Sequence, residues 1–162
     1  EYIAALEKLN EYLNLERKVL IVTDSGVPKE YSISASKQCK EAFIVTIPEG
    51  EVSKCFDNFK MLLSRMVELG FTRSDCVMAV GGGVVGDLSG FVAASFMRGV
   101  DFYNVPTTVL SQVDSSVGGK VAIDFEGYKN IVGAFYPPKK VLIDPDVLKT
   151  LSKIGCAWVI IV

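Results

Sequence analysis

Gly81-Gly82-Gly83-Val84-Val85-Gly86-Asp87 is the stretch that decides the fold of this chain. It follows an apolar run at residues 76–80 that predicts a buried β-strand, and it precedes residues 88–94, which predict a helix packed on a sheet. A strand that ends in glycines and leads into a helix exposes backbone N–H groups at the positive end of the helix dipole. The pattern indicates a site for a phosphate or pyrophosphate; the alternative is a tight strand-to-helix turn without a ligand.

Strands and helices alternate on both sides of this stretch. Apolar periodicity predicts a helix at residues 56–69, which Gly70 ends, and Asp144-Pro145 begins another that runs to residue 151. Further helices are expected near the amino terminus, at residues 28–40, from the glycine stretch to about residue 97, and near Thr108. The segment that follows the helix near Thr108 is expected to be irregular through residue 124. Strands are expected at residues 18–23, 42–47, 76–80, 102–105 and 141–143. This alternation predicts an α/β domain with a parallel sheet.

Polar residues follow the ends of several predicted strands. Asp24 ends the first strand, Thr107 and Thr108 follow a later one, and hydroxyl, carboxylate, amide and lysine side chains recur at residues 112–120 and 127–130. In an open parallel sheet these strand ends form the crevice that binds ligands. Asp24 suits hydrogen bonds from a ribose or an adenine, and its alternative role is to shape the turn.

Composition limits the classes of protein that this chain can belong to. The 162 residues are 49% hydrophobic with a mean hydropathy of +0.33 and a formal net charge of −2, which predicts a folded core and no nucleic-acid surface. We find no apolar run long enough for a membrane span and no signal-peptide pattern. Four cysteines without a CxxC pair indicate reduced thiols and a cytoplasmic protein. The start at Glu1 and the apolar end at residues 156–162 suggest a fragment or an uncertain sequence assignment.

Several motifs together resemble the 3-dehydroquinate synthase family. The resemblance covers about residues 19–151, and the order Val-Asp-Ser-Ser-Val-Gly-Gly-Lys at residues 113–120 separates it from other sugar-phosphate cyclases and from glycerol dehydrogenases. Two alternative functions remain: another sugar-phosphate cyclase or glycerol-dehydrogenase-like enzyme, and a non-catalytic nucleotide-binding module. The matching segments are residues 81–87, 98–99, 106–108, 113–120, 129–130, 133–136 and 148–151.

The resemblance implies a Rossmann-like NAD-binding domain at residues 1–151 of a lyase of the shikimate pathway. Such enzymes use NAD and zinc or cobalt to convert 3-deoxy-arabino-heptulosonate 7-phosphate, a sugar phosphate, into 3-dehydroquinate and phosphate, and we expect a homodimer. Glu49-Gly50-Glu51 with Lys54 resembles the family's cofactor segment. The NAD contacts implied by the resemblance are Asp24, Glu49, Gly50, Glu51, Lys54, Gly82, Gly83, Val84, Val85, Gly86, Asp87, Thr107, Thr108, Asp114, Ser115, Lys120, Lys129, Val147, Leu148, Lys149 and Thr150.

Four residues match family positions that face the reacting substrate. Asp114, Lys120 and Asn130 lie where the family orients the substrate or the nicotinamide. Arg98 matches a position that contacts the substrate phosphate across a dimer interface, and its guanidinium fork suits phosphate. The alternatives are a cation at a helix carboxyl terminus for Arg98 and a surface lysine for Lys120.

The chain also departs from the family. It contains no histidine, whereas the family binds zinc through two histidines and a glutamate of a helical second domain. Residues 155–161 faintly resemble the family's Gly-x-Ala-Glu-Val-Ile-Lys, with Trp158 at the position of the glutamate and Ile161 at that of the lysine. We therefore expect no metal ligand in this chain, a divergent or truncated start of the helical domain at residues 152–162, and no activity of the isolated chain.

Overall fold

A five-stranded parallel sheet lies at the centre of the computed structural model, which describes residues 5–116 and 118–150. Its strand order is β2-β1-β3-β4-β7, and a separate antiparallel pair consists of β5 and β6. The strands are β1 (Lys18–Asp24), β2 (Glu41–Ile47), β3 (Cys76–Gly81), β4 (Asp101–Pro106), β5 (Lys120–Phe125), β6 (Tyr128–Phe135) and β7 (Lys140–Val141). The α-helices within the described residues are α1 (Leu9–Tyr12), α2 (Lys29–Ser36), α3 (Phe56–Glu68) and α4 (Gly83–Ser95). The predicted parallel α/β architecture is confirmed.

Apolar side chains cover both faces of the sheet, as a parallel sheet requires. Every residue of β3 is buried, and successive side chains point to opposite faces. Val77 and Ala79 pack with α3 and α4 on one face, whereas Cys76 and Met78 pack with the amino-terminal helices and α2 on the other. The two cores therefore hold the carboxyl ends of the strands at one fixed edge.

The helix α3 agrees with its sequence pattern. Phe59, Leu62 and Met66 are its buried residues. Gly70 has a φ of +64°, which is the left-handed conformation typical of a glycine that ends a helix. This helix supports the sheet from the same face as α4.

The β5–β6 hairpin corrects the prediction of an irregular segment up to residue 124. Its two strands pair from Lys120 with Phe135 to Phe125 with Tyr128, and Glu126 and Gly127 form the turn, both with positive φ. Val121 and Ile123 of β5 are buried in the core beside α4. The hairpin thus forms one wall above the start of α4.

Other boundaries differ by a few residues from the prediction. The helix expected at residues 28–40 ends at Ser36, α4 ends at Ser95 before a 3-10 turn over Phe96–Arg98, and Pro145–Thr150 is a 3-10 helix. A helical segment follows Thr108 and takes π geometry at Ser111–Ser115. No helix among the described residues is both long and apolar enough to cross a bilayer. Residues 1–4 of the expected amino-terminal helix lie outside the described residues, as do Val117 and residues 151–162, with Trp158 and Ile161.

Candidate functional site

The turn from β3 to α4 presents bare backbone at the carboxyl edge of the sheet. Gly82 is the N-cap residue of α4 and makes no side-chain cap, so the first N–H groups of this helix have no side-chain acceptor from their cap. The N–H of Thr107 donates to the carbonyl of Gly81 at 2.9 Å, which fixes the end of β4 beside the turn. The helix dipole therefore points its positive end at this edge.

Neighbouring side chains leave little space above the glycines. A Cβ on Gly82 would lie 3.2 Å from Cγ2 of Thr108, and one on Gly83 would lie 3.3 Å from Oγ of Ser115. A larger side chain at either position would fill the approach to the N–H groups. The turn is therefore open to a ligand only while these two positions carry no side chain.

Two cavities flank the start of α4. The larger, of about 440 Å³, is lined by five of the predicted site residues. Apolar residues of the hairpin, Ile131 and Phe135 among them, complete its wall. The five predicted residues are Asp87, Asp114, Ser115, Lys120 and Asn130.

The smaller cavity, of about 220 Å³, lies on the other side of the glycine turn. Asp24 Oδ1 accepts the N–H groups of Gly26 at 2.8 Å and Val27 at 3.1 Å, so Asp24 does shape its turn, and it also lines the cavity. Predicted residues on this wall are Asp24, Glu49, Gly82, Thr107 and Thr108. Predicted site residues therefore line both cavities.

Lys54 is a buried cation that links the elements around the larger cavity. Its side chain is 5% exposed, and Nζ lies 2.9 Å from Glu51 Oε1 and 3.3 Å from Asp87 Oδ2. Nζ also donates to Asn130 Oδ1 at 2.7 Å and lies 3.9 Å from Asp124 Oδ1. One lysine thus joins the 3-10 turn Glu51–Ser53, α4 and the hairpin.

The surroundings set the protonation of this group. Burial lowers the pKa of Lys54, but the hydrogen bond from Lys54 to Glu51 and the charge of Asp87 outweigh it, and the pKa is raised overall. Burial raises the pKa of Asp87, and the charge of Lys54 opposes that effect only in part. Lys54 therefore remains an ammonium at neutral pH.

Some predicted residues lie away from both cavities. Arg98 is exposed beyond the carboxyl end of α4, about 20 Å along the helix from the glycine turn, with a φ of +67°. Lys129 is exposed on β6, Val147 is buried in the second core, and Lys149 pairs with Asp146. Leu148 packs against that core, Gly50 has a φ of +102° before the turn that carries Lys54, and the side chain of Thr150 is outside the described part.

Sequence reasoning missed several wall residues of both cavities. Tyr31 lines the smaller cavity from α2, and Ile131 and Phe135 line the larger one from β6. The available signal was the alternation of Val121 and Ile123 before the Glu126-Gly127 turn, which is typical of a hairpin. Within residues 5–116 and 118–150, no group of three or more His, Cys, Asp or Glu residues is arranged to hold a metal ion.

A parallel sheet with a glycine turn between a central strand and the next helix defines a Rossmann-like α/β domain. The family described as 3-dehydroquinate synthase N-terminal matches residues 44–157, and the chain belongs to this family.

Curated relatives agree with the family. The chain is 49% identical over 142 residues to a 3-dehydroquinate synthase of Clostridium beijerinckii, covering 85% of this chain and 40% of that relative. It is 47% identical over 141 residues to a 3-dehydroquinate synthase of Xylella fastidiosa, covering 83% of this chain and 36% of that relative. The chain thus spans two fifths or less of the length of these relatives.

Solved structures show the same fold. A 2-deoxy-scyllo-inosose synthase, complexed with carbaglucose-6-phosphate, NAD+ and Co2+, superposes with a TM-score of 0.84 at 31% identity, over 90% of this chain and 42% of that one. A 2-epi-5-epi-valiolone synthase from Streptomyces hygroscopicus, with NAD+ and Zn2+ bound, superposes with a TM-score of 0.81 at 27% identity. The match covers 91% of this chain and 44% of that one. A probable glycerol dehydrogenase from Sinorhizobium meliloti, at 20% identity, shares the fold with a TM-score of 0.67. The match covers 89% of this chain and 38% of that one.

Proposed function

We propose that this chain is the NAD-binding part of a 3-dehydroquinate synthase, which converts 3-deoxy-arabino-heptulosonate 7-phosphate into 3-dehydroquinate and phosphate. The observation that carries the proposal is the pair of cavities that flank the start of α4: Gly82 lines the smaller one, and Gly83 lies beside Ser115, which lines the larger one. The identity of 49% to a curated 3-dehydroquinate synthase supports this activity. The proposed enzyme acts in the cytoplasm as a homodimer.

The residues present fit NAD. The uncapped N–H groups of α4 suit the pyrophosphate, because they offer hydrogen bonds and a favourable dipole to an anion. Asp24, Glu49 and the two threonines after β4 give the smaller cavity acceptors and hydroxyls for the adenosine half. The larger cavity is then available for the nicotinamide and the substrate. When bound, NAD supplies reversible hydride transfer at a ring carbon of the substrate.

The larger cavity has polar groups suited to a keto-acid phosphate. Lys120 offers an ammonium to a carboxylate or a developing oxyanion, and Asn130 offers an amide to hydroxyls. Asp114 is an acceptor on the same wall. Because Arg98 lies far from this cavity in its own chain, we propose that it serves the phosphate of a second copy.

The metal of the family does not fit the described residues, so we assign no step to it here. Relatives whose solved structures hold Co2+ or Zn2+ are more than twice as long as the part that this chain covers. We propose that ligands lie in that remaining part, and that residues 1–162 alone are inactive.

A chimera tests the proposal. The 142 aligned residues of this chain replace their counterpart in the Clostridium beijerinckii relative, and 3-dehydroquinate formation is measured with NAD and zinc. We expect turnover, and Lys120→Ala should reduce kcat/KM by an amount equivalent to about 2–4 kcal/mol, with partial rescue by Lys120→Arg. If the chimera folds and binds NAD but shows no turnover, while the unaltered Clostridium beijerinckii relative is active, the result would instead favour a non-catalytic nucleotide-binding module.

A further inference from the structure

Asn130 has a backbone conformation that requires support. Its φ of +54° lies in the left-handed region, which residues other than glycine adopt at a cost. Asp124 Oδ1 accepts the N–H of Asn130 at 2.8 Å, and the N–H of Asp124 donates to the carbonyl of Lys54 at 2.8 Å. Asp124 is therefore bonded to both partners of the Lys54–Asn130 hydrogen bond.

The hydrogen bond from Lys54 fixes which end of the Asn130 amide faces the cavity. An ammonium carries only donors, so the side-chain oxygen of Asn130 must face Nζ, which lies 2.7 Å away. The amide nitrogen Nδ2, the other atom bonded to Cγ, therefore faces away from Nζ. Asn130 lines the larger cavity, and Nδ2 donates to no acceptor within the described part of the chain.

The strand geometry places Asp124 beside this pair. The register of β5 with β6 is interrupted between Ile123 and Phe125, where Asp124 alone faces residues 129–131 of β6, so the irregularity is centred on Asn130. Such an irregularity redirects side chains of the strand that carries the extra residues, which brings Asn130 beside Asp124. The side chain of Asp124 is 23% exposed and lies against the buried ammonium of Lys54.

We propose that Asp124 is a positioning residue, which holds Asn130 so that its amide N–H groups point into the larger cavity. Asn130 then acts as a donor and selects an oxygen acceptor of the ligand, such as a carboxamide, carboxylate or hydroxyl oxygen. The identity of that ligand as NAD or its substrate depends on the function proposed above. The role of Asp124 in holding Asn130 does not depend on that proposed function.

The first measurement follows Asn130 directly. In ¹⁵N-labelled chain, hydrogen exchange of the Asn130 backbone amide and its side-chain NH₂ signals are recorded for Asp124→Ala, Asp124→Asn and Glu16→Ala. Glu16 is an exposed carboxylate before β1, at the opposite edge of the sheet. We expect Asp124→Ala to reduce exchange protection at Asn130 by about tenfold or more, since a hydrogen bond to a charged acceptor is lost. Asp124→Asn, which keeps an acceptor oxygen, should retain most of the protection.

The second measurement is NAD affinity by calorimetry for the same variants, with thermal unfolding as a check on the fold. Asp124→Ala should weaken binding by about tenfold, and Asp124→Asn should restore affinity to within about threefold. Unchanged Asn130 protection in Asp124→Ala, or normal NAD affinity despite lost protection, would overturn the positioning role. If the parent chain binds no NAD, the function proposed above is contradicted, and the exchange data still decide the role of Asp124.

Discussion

At the scale of single residues, Lys54 should contribute to stability, because its side chain is 5% exposed and lies among carboxylates. We expect Lys54→Met to lower the free energy of unfolding at pH 7 by about 2 kcal/mol. This is less than the about 3–5 kcal/mol expected for a fully buried pair, since the side chains of Glu51 and Asp87 are 39% and 22% exposed. Denaturant unfolding measures the loss. Lys60→Met, at an exposed position of α3, is the control and should change stability by less than about 0.5 kcal/mol.

The same variant has a defined pH dependence. Burial already raises the pKa of Asp87, and loss of Lys54 raises it further, so the folded variant takes up a proton at a higher pH than its unfolded chain. The stability deficit relative to the parent should therefore shrink as the pH falls towards the ordinary carboxyl range. In the parent, the raised pKa of Lys54 means that its contribution is lost only above pH 10.5. A deficit that grows on acidification would contradict this account.

Two cysteine thiols should be unreactive in the folded chain. Burial raises the pKa of Cys39 to about 11 and that of Cys76 to about 12, from an ordinary value of 9.0. Because the thiolate is the nucleophile, alkylation of both at about pH 8 should be at least about 100-fold slower than in guanidinium. Peptide mass spectrometry after iodoacetamide treatment measures both rates. Equal rates in the folded and unfolded chain would show that these thiols are not protected.

At the scale of elements, the β5–β6 hairpin forms a tightly packed wall of the larger cavity. A Cβ on Gly133 would overlap the backbone of Val121 and Ala122 on the facing strand. We expect Gly133→Ala to destabilise the fold by about 1–3 kcal/mol and to weaken NAD binding, because overpacking shifts this wall. Gly127→Ala, in the open turn with a φ of +81°, should cost about 1 kcal/mol and leave binding near normal. Thermal unfolding and calorimetry compare the two variants; equal effects on binding would exclude the hairpin from the site.

The elements also show how far the sequence could predict the structure. The strand β3, the glycine turn and α4 were predictable because their pattern is local: a buried apolar run, bare backbone, then a second apolar run. The strand β6 was not, since it is exposed at most positions and has little hydrophobic alternation. Its pairing depends on β5, which packs on α4 from a distance in sequence.

Within the site, residue types were predictable and their orientations were not. The sequence predicted Lys54 and Asn130 as site residues, but their mutual hydrogen bond and the left-handed conformation of Asn130 arise from the hairpin. Asp124 gave no signal of its own, because its role depends on the register interruption beside Ile123. Arg98 was predicted together with the cavity residues, and the fold places it at the other end of α4.

At the scale of the whole molecule, the chain corresponds to 36–40% of the length of curated relatives. We expect the isolated chain to form no 3-dehydroquinate with NAD and zinc added, because the metal ligands and the rest of the substrate site are proposed to lie in the remaining part. A coupled assay for the product checks this, with the chimera as the positive control. Product formed by the purified chain, free of host enzyme, would contradict the expectation.

Calorimetric titration of NAD into the chain tests the central claim most directly, namely that the glycine turn at the start of α4 binds the pyrophosphate of the dinucleotide. The parent chain should bind NAD, more weakly than a complete relative does. Gly83→Val should abolish binding with its fold intact, because a β-branched side chain would block approach to the N–H groups. Gly83→Ala should weaken binding less. Equal NAD affinity in the parent and in Gly83→Val would contradict the assignment of this turn.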